Sequence, residues 1–254
     1  MEKNDNCLQL GTFLIDLIFF SIVITTTLFF LNITVTPINF IFSVFCSSVI
    51  CFYSNKNIKK TIWITLFGIL ILIVTIVICE HTFDFSWDGN TYHKTMTAFM
   101  KNGWNPLKVT FYDYAASDIP SCAVLSQTWL DAYPKGAEIF AACIYAITGN
   151  IEGGKCFNIL ACIAMCFISC GFLGETTSLR RGQKIICSIL LALNPVAFSQ
   201  FFTYYIDGLL WQFFLLCIFC LAYLTLCEDG RLIKYCYYTV SYTHLRAHET
   251  SAHL

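Results

Sequence analysis

Charge is scarce in this sequence: Asp, Glu, Lys and Arg make up 12% of 254 residues against 57% hydrophobic residues, and the mean hydropathy is +0.67. That balance excludes an ordinary soluble domain, which carries about 25% charged residues, and reads as a polytopic membrane protein. An excess of positive charge is also missing. With 15 basic and 16 acidic residues the net charge is -1, so the clustered positive field that binds phosphate backbones is absent and nucleic acid is excluded as a partner. The 15 cysteines are without the setting of a disulfide or metal framework, since Cys46, Cys51, Cys143, Cys156, Cys162, Cys166, Cys170, Cys187, Cys217 and Cys220 fall inside apolar segments. There a thiol packs as a small hydrophobe. The row Cys162, Cys166, Cys170 and the pair Cys217, Cys220 have no His or acidic co-ligands beside them, which favours packing over metal.

What is present is a series of long apolar runs. Leu10 to Leu31 is long enough to cross a hydrocarbon core of about 30 Å, and no small-residue cleavage site follows it to mark a removed signal peptide. Asp16 reads as lying near the start of this span, where an acid reaches the interface. Pro37 to Tyr53 and Thr61 to Cys79 make the second and third spans. The loop between them, Ser54 to Lys60, carries Lys56, Lys59 and Lys60 with no acid, which places it and the amino terminus in the cytoplasm. The region from Glu80 to about Gly136 is then external. Its aromatics Trp87, Trp104, Tyr112, Tyr114, Trp129 and Tyr133 suit a headgroup layer.

Within that region Asn90 or Thr91 is placed to cap a surface-lying helix, with Tyr92, Met96, Phe99 and Met100 on one face and Gly103 as its stop. Asn105 to Trp129 has no clear period and reads as irregular. Pro134 to Gly149 decides the topology. Its uninterrupted apolar part, Ile139 to Ile147, would be about 14 Å long as a helix, too short to cross, so it reads as a second surface-lying helix. That keeps Arg180, Arg181 and Lys184 on the cytoplasmic side. Ile151 to Leu173, Ile185 to Phe202 and Leu209 to Cys227 follow as spans, leaving Tyr204 to Asp207 at the outer face.

The expected fold is all-α: a multi-pass transmembrane helix bundle in the cell membrane, with two surface-lying helices in a large external loop. Residues 1–60 hold two N-terminal spans and a cytoplasmic loop, and residues 61–239 a core containing the external loop 80–136. Residues 240–254 break with everything before them, being polar and holding His244, His248 and His253. Val240 to Thr250 resembles the translation of a transposase adapter used in sequencing libraries. This tail is expected to be an artefact, and the chain a fragment of a longer protein.

The outer surface thereby collects Asp84, Asp88, His93, Lys135 and Asp207 from three parts of the chain. A carboxylate with a nearby cation is a minimal transferase site. When the donor is a sugar on a lipid phosphate, the phosphate leaves without a general acid; one carboxylate to deprotonate an acceptor hydroxyl and one cation for the departing charge suffice. The other class that fits is a transporter or flippase for a lipid-linked glycan, which also needs an outward-facing polar pocket. Transporters place functional charges near the bilayer midplane on interrupted helices, whereas these acids cluster at a surface.

The order of motifs carries a resemblance. Trp87-Asp88-Gly89-x-x-Tyr92 after an apolar span, a surface helix ending Asn102-Gly103-Trp104, Tyr133-Pro134-Lys135 opening a second helix, then a span and a positive inner loop resemble the GT-C superfamily of integral membrane glycosyltransferases. Its members include protein O-mannosyltransferases and lipid A aminoarabinose transferases. The resemblance covers roughly Thr61 to Leu226, through short motifs. It implies transfer from a polyprenyl-phosphate-linked sugar to a glycan, lipid or protein acceptor at the outer face of the bilayer. By match, Asp88 positions or deprotonates the acceptor, Lys135 contacts the donor phosphate, and Asp207 is an acid of the next external loop. Asp84 joins Asp88 and Asp207 as a catalytic acid, and Tyr92 and His93 join Lys135 in substrate binding. The departure is Gly89, where many relatives carry a second acid. This counts against a two-acid or metal-assisted mechanism; no definite cofactor is implied, and a divalent metal is left open.

Overall fold

The computed structural model describes residues 5–115 and 128–226, which are helical with no strand. The adapter-like tail, the middle of the irregular stretch and the end of the last expected span lie outside the described residues. Three long helices open the chain: α1 (Asp5–Phe30), α2 (Pro37–Asn55) and α3 (Ile58–Glu80). The reversal between α2 and α3 is built locally. Lys56 takes a left-handed conformation (φ 53°) and donates its N–H to Phe52 O, and Asn57 caps α3 by accepting from Lys60 N.

Four stretches, Asn6–Phe30, Pro37–Asn55, Ile58–Glu80 and Ile151–Thr176, are long and apolar enough to cross a membrane. The last comprises a 3₁₀ turn (Ile151–Cys156) leading into α7 (Phe157–Thr176). α1 runs through the middle of the bundle, its Phe13, Leu14, Leu17 and Ile18 buried. It touches α7 at Gly11, where any Cβ would lie 2.6 Å from the Ile168 side chain and 2.7 Å from Ala164 O. α2 and α3 instead expose Phe45, Trp63 and Leu66, the pattern of helices whose outer faces meet hydrocarbon.

Two expectations are corrected here. Asp16 is not near the start of its helix. α1 begins at Asp5, because buried Gln9 accepts from Asn55 Nδ2 and carries the helix through its polar first turns. Asp16 therefore lies about 16 Å along it. Ile185 to Phe202 is not one helix either: α8 (Arg181–Ala192) stops, and Asn194 caps a separate short helix, α9 (Pro195–Ser199), accepting from Ala197 N at 2.8 Å. Pro195 has no N–H and disfavours helix in the residue before it. The carbonyls exposed at the break find donors on α10 (Asp207–Leu226): Trp211 Nε1 donates to Leu191 O and Gln212 Nε2 to Ala192 O. The two pieces together still connect opposite ends of the bundle, from Lys184 beside Gly174 to Tyr204 beside Asp84.

The segment between α3 and α7 shapes the site. A π turn (Gly89–His93) runs into α4 (Lys94–Lys101), and a single turn, α5 (Phe111–Tyr114), follows. The cap is Ser86 rather than Asn90 or Thr91: Ser86 Oγ accepts from Gly89 N at 3.1 Å. The stop is Gly103, at φ +110°. α6 (Gly136–Thr148) has 13 residues, about 20 Å of helix, and ends at Gly149 with φ +72°. It is enclosed by α1, α2, α4 and the 3₁₀ turn rather than laid over them, with Phe140, Ala141, Ala142, Cys143 and Ile144 buried.

Candidate functional site

Asp84 is the first expected residue to find its place, and the place is interior. Its side chain is fully buried. Oδ1 accepts from Ser86 N and Oδ2 from Tyr204 N, both at 2.8 Å, while its own N–H donates to Glu152 Oε2 and its carbonyl accepts from Asn90 Nδ2. Gly89 is required beside it: a Cβ there would lie 2.1 Å from Asp84 Oδ2. The carboxylate of Asp84 thus fills the space that a side chain at position 89 would take.

Asp88 differs in every respect. It is half-exposed and lies one turn before Tyr92. Burial, and then the neighbouring Asp88 carboxylate, push the Tyr92 phenol well above its ordinary range. Tyr92 also stacks edge-on with Trp129 and Tyr133 at 5.6 and 5.3 Å, and the Asp88 backbone leads from Trp87, which meets Trp129 at 5.8 Å.

Tyr133 carries this aromatic row to a cavity of about 640 Å³. One wall is apolar, from Phe19, Ile22 and Val23 of α1; another is the turn into α6, with Lys135 and Glu138; Ile206 and Leu209 close it. Lys135 Nζ donates to the carbonyls of Asp131 and Tyr133 and stands 5.7 Å from the Trp104 ring centroid. Of the expected site residues, Lys135 lines the cavity, and Asp88 and Tyr92 reach it through Tyr133. Asp207 is exposed and accepts from Gln200 Nε2 at 2.9 Å; from its turn it is Ile206 that lines the cavity. The return loop nevertheless comes to the Asp84 side, through Tyr204.

His93 is buried and its Nδ1 lies 2.5 Å from Oε1 of Glu138. Glu138 was not among the expected residues, nor was the buried ionic group next to it. Glu152 receives Lys94 Nζ on Oε1 at 2.5 Å and Lys155 Nζ on Oε2, and Lys155, fully buried, also donates to Thr82 O. Tyr204 closes the group by donating its hydroxyl to Ile151 O. Burial first, then Glu152, Cys156, Asp84 and Cys79, raise the Tyr204 phenol well above its usual value. A signal existed in the sequence: Glu152 and Lys155 are charges at the head of an apolar run, where an unpaired charge is costly. Among the described residues, no cluster of three or more His, Cys, Asp or Glu side chains is arranged to hold a metal ion.

No family model, curated protein or solved structure matches this chain.

Proposed function

We propose that the chain is the core of a membrane glycosyltransferase that moves a sugar from a polyprenyl-phosphate donor to a glycan, lipid or protein acceptor at the outer membrane face. The observation that carries this reading is the cavity: an apolar wall on α1 suited to an isoprenoid chain faces a cation, Lys135, suited to its phosphate. Asp88, half-exposed and joined to the cavity only through Tyr92 and Tyr133, is the base that takes the acceptor proton as the phosphate leaves, and Lys135 stabilises the departing charge. Tyr92 orients Asp88. Asp84 supports the site as the buried anchor of its loop. Donor and acceptor meet beyond the ends of α4 and α6, which in this reading lie at the outer face of the bilayer, with Lys56, Lys59, Lys60, Arg180, Arg181 and Lys184 in the cytoplasm.

The test is chemical. The full-length protein, reconstituted with radiolabelled polyprenyl-phosphate sugars, forms a new glycosidic bond to an acceptor and releases polyprenyl phosphate. One observation favours a second reading, a flippase or transporter of a lipid-linked glycan: Asp16 lies deep in α1, where a charge costs most and marks transport pathways. Movement of the labelled lipid between leaflets, with no bond formed and lost in Asp16→Asn, would favour that reading instead.

A further inference from the structure

Glu138 is 1% exposed and belongs to the wall of the 640 Å³ cavity, yet its two oxygens are unequally served. Oε1 lies 2.5 Å from His93 Nδ1. A carboxylate has only lone pairs to offer, so the imidazole is the donor and fixes that oxygen. Oε2 is buried with no hydrogen-bond partner among the described residues. A buried carboxylate oxygen without a donor is unfavourable, and native proteins supply one from a side chain, a water or a ligand. The chemistry of the cavity narrows the choice. Phe19, Ile22 and Val23 offer hydrocarbon contact, Lys135 offers positive charge, and Glu138 offers a strong acceptor for an O–H group.

We propose that Glu138, positioned by His93, is the hydroxyl-binding carboxylate of this cavity. Oε2 accepts a hydrogen bond from a hydroxyl of a polyol headgroup whose hydrocarbon chain lies along α1. In the transferase reading, on which the identity of the lipid rests, this hydroxyl belongs to the sugar of the donor, and Glu138 separates a sugar-bearing lipid from the spent carrier that lacks one. Recognition by a buried acceptor discriminates strongly, because a ligand without the hydroxyl leaves the carboxylate unpaired.

The experiment uses the full chain in nanodiscs and three probes: undecaprenyl phosphate, undecaprenyl phosphate glucose, and a phosphate-free glucosyl diacylglycerol. Affinities are measured for wild type, Glu138→Gln and Glu138→Leu. The proposal predicts that Glu138→Gln weakens both sugar lipids about tenfold and Glu138→Leu weakens them further, while undecaprenyl phosphate changes less than about twofold. Unchanged undecaprenyl phosphate binding also reports that the cavity has folded; if the leucine variant loses it, the glutamine variant decides. Equal loss for all three lipids, or no loss for the sugar lipids because water alone occupies Oε2, would overturn the proposal. The transferase reading fails separately: wild type binding the phosphate-free glycolipid as tightly as the phosphate-linked one removes the donor assignment and leaves Glu138 in its role. Wild type binding neither sugar lipid overturns both.

Discussion

Asp84 Oδ2 accepts a 2.8 Å hydrogen bond from the backbone N–H of Tyr204, across 120 residues of chain. This contact joins the loop after α3 to the loop before α10, so the two segments carrying Asp88 and Asp207 are held at one end of the bundle. With Oδ1 on Ser86 N, the side chain satisfies two backbone donors, and each would cost about 1–3 kcal/mol if left buried and unpaired. Asp84→Ala is therefore expected to destabilise the protein by roughly 2–5 kcal/mol, and Asp84→Asn by less, since one acceptor remains. Thermal unfolding in detergent measures this; an unchanged Tm for Asp84→Ala would contradict the anchoring role.

Gly89→Ala is expected to be destabilising for a linked reason, because the new Cβ would fall 2.1 Å from Asp84 Oδ2 and 2.4 Å from Ser86 Oγ. The cost should be about 1–3 kcal/mol as the carboxylate is displaced. A double-mutant cycle reads the coupling. In an Asp84→Ala background the same substitution should cost clearly less, and strict additivity would refute the shared space.

The raised phenols predict an alkaline weakness. Tyr92 has an ordinary pKa of 10.0 and is held above it in the folded protein by burial and the Asp88 carboxylate. Below about pH 10 both states keep the proton and stability is unaffected. Above it the unfolded chain loses the proton that the folded chain retains, so stability falls as pH rises. Tyr92→Phe should make the decline between about pH 9.5 and 11 shallower without abolishing it, because Tyr204 is raised too. Parallel curves for variant and wild type would refute the assignment.

The apolar runs were enough to read α1, α2, α3 and α7, since in a membrane protein length and hydropathy decide whether a helix crosses. They were enough to read α6 as too short. They misread the passage after Lys184, where a mostly apolar run outweighed Asn194-Pro195, although proline's missing N–H was the decisive physical fact. The site was legible only in part. Asp88, Lys135 and Tyr92 stood out by type and position, but the partnerships of His93 with Glu138 and of Lys94 with Glu152 lie 45 and 58 residues apart, and no local period links them. They also fix the path of the chain. His93 and Lys94 are consecutive, yet they grip carboxylates from two elements, Glu138 in the first turn of α6 and Glu152 in the 3₁₀ turn that follows it, so both elements are held against the start of α4.

That arrangement makes a topological prediction. Single cysteines at Lys108 and Ser199, in a background whose native thiols are replaced, should react with a membrane-impermeant maleimide in intact cells, and one at Ser178 should not. All three positions are exposed on the protein surface. Labelling at Ser178 with protection at Lys108 would invert the protein in the membrane and remove the outer-face site.

The transferase reading turns on Asp88. The most direct measurement is the initial rate of sugar transfer from a polyprenyl-phosphate donor by wild type and Asp88→Asn, with donor affinity measured alongside. Loss of a general base predicts a fall of about 10²-fold or more in kcat with donor binding within about twofold, because Lys135 and the apolar wall are untouched. Transfer by Asp88→Asn at the wild-type rate would contradict the account.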